Sequence, residues 1–251
     1  MLLTEDSGAK AFETLRSVAK ELLKQVDEYV QTNKISFEPV RNELALQSLH
    51  ANVWKSNKAK DRQKRVELIR TIATQVMLED GWVLFHFDGD RVWASRASSE
   101  NIEKFQTLIG AGVRQLIASK IAELRDGSTP ESVEARANAR MARLKAVVPF
   151  YSIEAWLFQN TREAIRLCQE RYSGRDVEQF HAWARDRTSL DEVLKPKEAV
   201  CLGAAHNLDL ASTGFPAREV QAAGRSFTAV VEVLSQDAEL REALARTYAY
   251  G

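Results

Sequence analysis

The sequence has few of the residues that mark a metal-thiolate site, a disulfide scaffold or a membrane protein. Its only cysteines, Cys168 and Cys201, are far apart and lack metal-ligand spacing, so we expect two buried thiols rather than a disulfide or a zinc site. No apolar run approaches the roughly 20 residues of a membrane span, and the first residues lack the basic and long apolar regions of a secretion signal. We therefore expect a cytoplasmic protein that makes no contact with membranes.

The sequence also lacks an excess of charge of either sign. Its 35 basic and 35 acidic residues cancel, so overall charge attracts the protein to neither nucleic acid nor an acidic membrane surface. Any nucleic-acid binding requires a local patch. The sequence contains no Gly-rich phosphate loop, no G-x-S-x-G nucleophile elbow and no His-Cys metal cluster. We therefore do not expect this chain to hydrolyse ATP.

Hydrophobic periodicity predicts strands that alternate with helices over the first 160 residues. Helical spacing of apolar residues occurs at 12–30, 66–77, 102–121 and 153–167. Strands are predicted at 2–4, 35–40, 82–87 and 144–150, and the third is placed at the centre because it is almost continuously apolar. This alternation favours an α/β fold with a mainly parallel sheet flanked by helices. After residue 176 the patterns are helical or irregular.

Acidic residues follow three of the predicted strands. Glu5 follows the first strand, Asp88-Gly89-Asp90 follows the central strand, and Glu154 lies in the first helical turn after the last one. Ligand sites of open α/β sheets lie at the carboxyl ends of the strands, so these acids can converge although about 80 residues separate them. Asp88 and Asp90 are two residues apart and point to the same side of an extended chain. Convergent carboxylates predict a Mg²⁺ or Mn²⁺ site.

The order of these elements and acids resembles the TOPRIM domain, which is shared by topoisomerases, primases and the OLD-type nucleases of bacterial anti-phage systems. Glu5 and Asp88-Gly89-Asp90 match its two signature positions. The segment Pro-Phe-Tyr-Ser-Ile-Glu-Ala-Trp-Leu at 149–157 is similar to a strand-to-helix junction of small stand-alone TOPRIM proteins related to the OLD group. TOPRIM domains usually place glycine directly after the glutamate, whereas this chain has Glu5-Asp6-Ser7-Gly8, so the functional acid is either Glu5 or Asp6.

This resemblance covers residues 1–160 and implies a TOPRIM-like (Rossmann-like) domain there, with a helical C-terminal region at 161–251. It implies a Mg²⁺-dependent nuclease that cleaves phosphodiester bonds in DNA or RNA as part of bacterial defence against phage. Glu5 would be the base or a metal ligand, and Asp88, Asp90 and Glu154 would be further ligands. In the family a separate ATPase often supplies energy and control, so a partner ATPase subunit is implied as well.

Basic residues provide candidates for substrate contacts. Lys10 and Arg91 lie near the predicted acids in the sequence and are candidates to bind phosphate oxygens. Lys58 and Lys60 belong to a lysine-rich segment next to Trp54, which is either a solvated loop or a path for a nucleic-acid backbone with a base stacked on the tryptophan.

Two other interpretations stay open. A catalytically silent TOPRIM-like subunit would bind a partner ATPase or a nucleic acid through its helical C-terminal part. A nucleotide-sugar transferase would use Asp88-Gly89-Asp90 to hold its metal, although the chain is short of a second substrate domain. A monomer and a homo-oligomer are both compatible with the sequence.

Overall fold

The computed structural model describes residues 1–6, 8–92, 94, 99–124, 129–172 and 176–249. The chain forms two compact units that interleave along the sequence. The first unit consists of Met1–Glu5, Ser36–Phe87 and Glu100–Ala146, and the second of Asp6–Ile35, Asp88–Ser99 and Val147–Gly251. The division into continuous domains at 1–160 and 161–251 stays a prediction. In the structure, residues 6–35 and 88–99 belong to the same compact unit as the C-terminal region.

The described residues form three strands, fourteen α-helices, a π-helical stretch and short 3₁₀ turns at Thr32–Lys34, Arg187–Glu192, Pro196–Ala199 and Ala204–His206. The strands are β1 (Leu2–Thr4), β2 (Val83–His86) and β3 (Leu144–Val147). The helices are α1 (Ala11–Val26), α2 (Glu43–Leu46), α3 (Ala51–Trp54), α4 (Ala59–Met77), α5 (Glu100–Lys104), α6 (Ala111–Ala122), α7 (Pro130–Met141), α8 (Glu154–Leu157), α9 (Thr161–Arg171), α10 (Glu178–Arg185), α11 (Asn207–Ser212), α12 (Ala217–Ala222), α13 (Arg225–Ser235) and α14 (Ala238–Ala245). A π-helical stretch, Phe105–Gly110, joins α5 to α6.

The strands form one small parallel sheet in the order β1-β2-β3. All four residues of β2 are buried, as expected for a strand that is covered on both faces. The prediction of a mixed α/β fold with β2 at the centre of a parallel sheet is therefore confirmed. The predicted strand at 35–40 was wrong: only an isolated bridge joins Pro39 to Leu2, because a proline has no N–H with which to extend a ladder.

An aromatic cluster forms part of the core of the first unit. The Trp54 ring lies edge-on to Phe85 and Phe87, with ring centroids 5.7 Å and 5.4 Å away, and also contacts Phe105. Its indole N–H donates to the carbonyl oxygen of Ser48 at 2.7 Å, so the one polar atom of the buried ring is satisfied. Because this ring is fully buried, it has no exposed face on which a base could stack, as one of the two alternatives for this segment would require.

The second unit is helical. The apolar face of α1 packs against α11, α12 and α13 and buries Leu15, Val18, Ala19, Leu22 and Leu23. No strand occurs after residue 176 among the described residues, as predicted. Within the same ranges, none of the helices combines the length and the apolar character that crossing a bilayer would need.

The second unit also joins the two cysteines, contrary to the prediction of separate thiols. Cys168 in α9 and Cys201 form a disulfide, with their Cα atoms 6.2 Å apart. The two cysteines are 33 positions apart, and no local pattern in the sequence indicates that they pair. It arises because α9 packs against α11, which follows closely after Cys201 in the chain.

We expect Trp54→Ala to lower the free energy of unfolding by about 3–5 kcal/mol, because it leaves a large cavity in the aromatic cluster. Urea denaturation followed by circular dichroism measures this loss. Val66→Ala is the matched control, since Val66 is an exposed residue of α4 and its truncation should change stability by less than about 0.5 kcal/mol. Equal effects of the two substitutions would contradict the buried position of Trp54.

Candidate functional site

The Asp88-Gly89-Asp90 loop is held by hydrogen bonds to the segment that follows β3. The N–H of Asp90 donates to the carbonyl oxygen of Tyr151 at 3.1 Å, and the N–H of Arg91 donates to that of Phe150 at 2.9 Å. Both loops belong to the second unit. The structure therefore brings the central acidic motif next to the segment that leads into α8 and Glu154.

Gly89 allows this close approach of two backbones. A Cβ atom at this position would lie 2.5 Å from the carbonyl oxygen of Phe150 and 2.6 Å from that of Pro149, well inside van der Waals contact. Asp90 has a φ of 52°, in the left-handed region that residues other than glycine rarely adopt. Such strained residues cluster at binding and catalytic sites, where the surrounding structure holds them in place.

Asp88 and Asp90 lie near one another around Tyr151. Oδ1 of Asp88 accepts the N–H of Ile153 at 3.2 Å. Burial raises the pKa of the Tyr151 hydroxyl, and the negative charges of Asp90 and Asp88 raise this pKa further. The charges of both carboxylates therefore act on the same hydroxyl group.

Glu154 is buried and has three partners. Its Oε2 accepts the hydroxyl of Ser152 at 2.6 Å, and its Oε1 accepts the side-chain amide of Asn207 at 2.7 Å and lies 2.9 Å from Nζ of Lys197. Burial alone would raise the pKa of Glu154, but the hydrogen bond from Ser152 and the charge of Lys197 bring this pKa below its usual value. Glu154 is therefore a buried carboxylate anion.

Lys197 is the functional candidate that the sequence analysis missed. Partial burial would lower its pKa, but the carboxylate of Glu154 and the charges of Asp6 and Asp88 raise the pKa above its usual value. The charges of three acids from distant parts of the chain therefore act on Lys197. No local pattern indicated this, because lysines are common and the segment around Lys197 has no regular periodicity.

The two neighbouring acids near the N-terminus are in different units. Glu5 belongs to the first unit, where its N–H donates to the carbonyl oxygen of His86 at 3.1 Å. Asp6 belongs to the second unit, where its charge acts on Lys197. Of the two acids that the sequence left open, Asp6 is therefore the one that the second unit groups with Asp88.

A cavity of about 390 Å³ adjoins this group of charges. Asp6, Lys10, Thr14 and Asn207 are among its lining residues, and Lys10 is the residue that precedes α1. A larger cavity of about 930 Å³ in the second unit is lined by the end of α1 and by α14, and it contains none of the predicted site residues. We take the smaller cavity as the candidate site because it includes Asp6 and Asn207.

The other predicted substrate-binding residues have different surroundings. The guanidinium group of Arg91 lies over the ring of Phe150, 5.2 Å from its centroid. Partial burial lowers the pKa of Arg91. Lys58 and Lys60 are exposed in the first unit at the start of α4. Within the described residues, no three or more His, Cys, Asp or Glu side chains form a group that could hold a metal ion.

Comparison of the chain with protein-family models, curated proteins and solved structures finds no match. The resemblance to TOPRIM domains therefore stays a prediction from motif positions, and the functional argument depends on the geometry of the site.

We expect Gly89→Ala to destabilise the protein by about 1–3 kcal/mol, because the added methyl group would collide with two carbonyl oxygens. Gly203→Ala is the matched control, since a Cβ atom at Gly203 would meet nothing within 4 Å. Its effect should stay below about 0.5 kcal/mol. Urea denaturation of both variants measures the difference, and a harmless Gly89→Ala would show that the two loops are not in close contact.

We expect Lys197→Met to lower the free energy of unfolding by about 2–3 kcal/mol at pH 7, because it leaves the Glu154 carboxylate buried without its cation. This value is at the low end for a buried pair because the Lys197 side chain is 43% exposed. The wild-type Glu154 pKa is depressed, so its stabilising contribution is present above pH 4.5 and is lost as the pH falls below that value.

The difference between wild type and Lys197→Met should therefore shrink at pH 4, where Glu154 in the variant binds a proton. Lys195→Met is the control, because Lys195 pairs with the exposed Glu198 and its loss should cost less than about 0.5 kcal/mol. A loss at Lys197 that is independent of pH, or equal to the loss at Lys195, would contradict the role of the buried ion pair.

Proposed function

We propose that the chain is a Mg²⁺-dependent TOPRIM-like nuclease that hydrolyses phosphodiester bonds in DNA or RNA and takes part in bacterial defence against phage. The observation that carries the proposal is the buried Glu154–Lys197 ion pair in the second unit, where the charges of Asp6 and Asp88 also act on Lys197. Phosphodiester hydrolysis needs both signs of charge, because carboxylates hold a metal ion while cations bind the phosphate.

The carboxylates fit Mg²⁺, which usually binds to one or two protein carboxylates, several waters and the phosphates of the substrate. Asp88 and Asp90 are the proposed ligands, and Asp6, the acid that belongs to the same unit, is the proposed further ligand or base. A bound Mg²⁺ would stabilise negative charge on the phosphate oxygens. Glu154 was predicted as another ligand, but it is buried against Lys197, so we propose that it acts by orienting that lysine.

Three cationic groups are proposed to bind the substrate phosphate. Lys10 lines the candidate cavity, and the N-terminus of the 16-residue α1 directly after it attracts anions through its free N–H groups and the helix dipole. Lys197 is held near Asp88 by its ion pair with Glu154. Arg91 is fixed by its stacking on Phe150.

A catalytically silent TOPRIM-like subunit is the second candidate. It is favoured by the pairing of Glu154 with Lys197, which uses one of the predicted metal ligands inside the protein. Such a subunit would bind a partner ATPase or a nucleic acid without cleaving it. Neutralising Asp88 and Asp90 would then leave its biological effect intact.

Thermal unfolding with added Mg²⁺ or Mn²⁺ tests the nuclease proposal without knowledge of the substrate. We expect metal at about 100 times its dissociation constant to add roughly 2.7 kcal/mol to the stability of the wild type, and to raise Tm by roughly 5–10 °C. The Asp88→Asn, Asp90→Asn double variant should show no rise. Glu198→Gln is the control, because Glu198 is exposed and pairs with Lys195, and it should respond like the wild type.

The same proteins are then incubated with labelled single- and double-stranded DNA and RNA. Metal-dependent cleavage by the wild type and by Glu198→Gln, but not by the double variant, would support the nuclease. Neither stabilisation by metal nor cleavage would contradict it and favour the silent subunit.

A further inference from the structure

One segment supplies both of the remote partners of Glu154. Lys197 lies in a short 3₁₀ turn, Pro196–Ala199, and Asn207 follows a second one, Ala204–His206. Between these turns the backbone has no regular structure. The part of this segment before α11 has few backbone hydrogen bonds of its own, so it depends on side-chain contacts to hold Lys197 in place, whereas Asn207 is the first residue of α11.

Three side-chain contacts join this segment, and the helix α11 that follows it, to the C-terminal end of α9. The Cys168–Cys201 disulfide is the first. The hydroxyl of Tyr172 lies 3.0 Å from Nε2 of the buried His206, and the opposite ring nitrogen of His206 bonds to the backbone of Gly203.

The third contact is an ion pair between Arg171 and Asp209 at 3.1 Å. The disulfide is the strongest of the three contacts because it is covalent. It is also the one nearest to Lys197 along the chain.

We propose that the Cys168–Cys201 disulfide is a redox-controlled tether that positions Lys197 at Glu154. In the oxidised protein the tether keeps the lysine on its buried carboxylate. In the reduced protein the segment moves more freely, so Lys197 leaves Glu154 for part of the time. The effect of this tether on catalysis rests on the proposed nuclease function, whereas its effect on the Glu154–Lys197 pair does not.

The two sulfur atoms differ in access to a reductant. Cys168 is fully buried, whereas Cys201 is partly exposed, so a thiolate of a dithiol reductant attacks Sγ of Cys201. The disulfide bond breaks and Sγ of Cys168 leaves as a thiolate, which takes up a proton. The second thiol of the reductant then attacks the mixed disulfide and releases Cys201 as a thiol. Two electrons pass to the protein, and the reductant becomes its own cyclic disulfide.

Alkylation and hydrogen exchange test the tether on the full chain without substrate or metal. Iodoacetamide in denaturant should modify neither cysteine in the oxidised protein and both after dithiothreitol. Reduction should speed exchange of the hydrogen-bonded amides within 196–203, those of Glu198 and Gly203, by about tenfold or more, as expected when a local opening becomes easier. Exchange in α4 of the first unit should stay unchanged.

A thermodynamic cycle of unfolding free energies then tests whether the disulfide stabilises the Glu154–Lys197 ion pair. Lys197→Met should raise the unfolding equilibrium constant by about tenfold or more in the oxidised protein, and by less than about threefold in the reduced protein. In the Cys168→Ser, Cys201→Ser double variant, the effect of Lys197→Met should equal that in the reduced protein and should not change when reductant is added. If that variant does not fold, reoxidation of the reduced wild type must restore slow exchange.

Alkylation of both cysteines without reductant would overturn the proposal, as would unchanged exchange across 196–203 after reduction. An equal effect of Lys197→Met in both redox states would also overturn it. None of these measurements depends on cleavage, so failure of the tether and failure of the nuclease proposal are separate results.

Discussion

The buried carboxylate of Glu154 is the constraint on which the arrangement of the second unit depends. An uncompensated charge at this depth would cost several kcal/mol, so the fold has to bring a cation and hydrogen-bond donors to it. Lys197, Asn207 and Ser152 fulfil this requirement from three positions in the chain. The loop that carries Lys197 has little regular structure. Its ion pair with Glu154 and the Cys168–Cys201 disulfide to α9 hold it in position.

The same ion pair sets the balance of charge near Asp6 and Asp88. Lys197 partly offsets their repulsion, so acids that would otherwise repel each other can share one neighbourhood. A metal ion bound at Asp88, as proposed, would therefore compete with Lys197 for the same negative charge. A phosphate that accompanies the metal would change this competition, because it attracts the lysine and the metal together.

The sequence predicted those parts of the fold that local pattern controls. The continuous apolar run at 82–87 became the buried central strand, and the helical spacing at 12–30 became α1. The predicted strand at 35–40 was wrong because its proline lacks the N–H that a strand ladder needs, although the segment is rich in β-branched and aromatic residues.

In the candidate site, the neighbourhood of the Asp88-Gly89-Asp90 loop and Glu154 could be expected from their places after strands. The partners of Glu154 could not, because Lys197 and Asn207 are common residue types whose role depends on folding over a long stretch of chain. The pairing of Cys168 with Cys201 was missed for the same reason.

The chain crosses between its two units five times, after Glu5, Ile35, Phe87, Ser99 and Ala146. Neither unit can therefore be moved into another gene as one continuous stretch of sequence. An insertion that leaves both units folded has to occur within one of the six segments, because no single boundary separates two continuous domains.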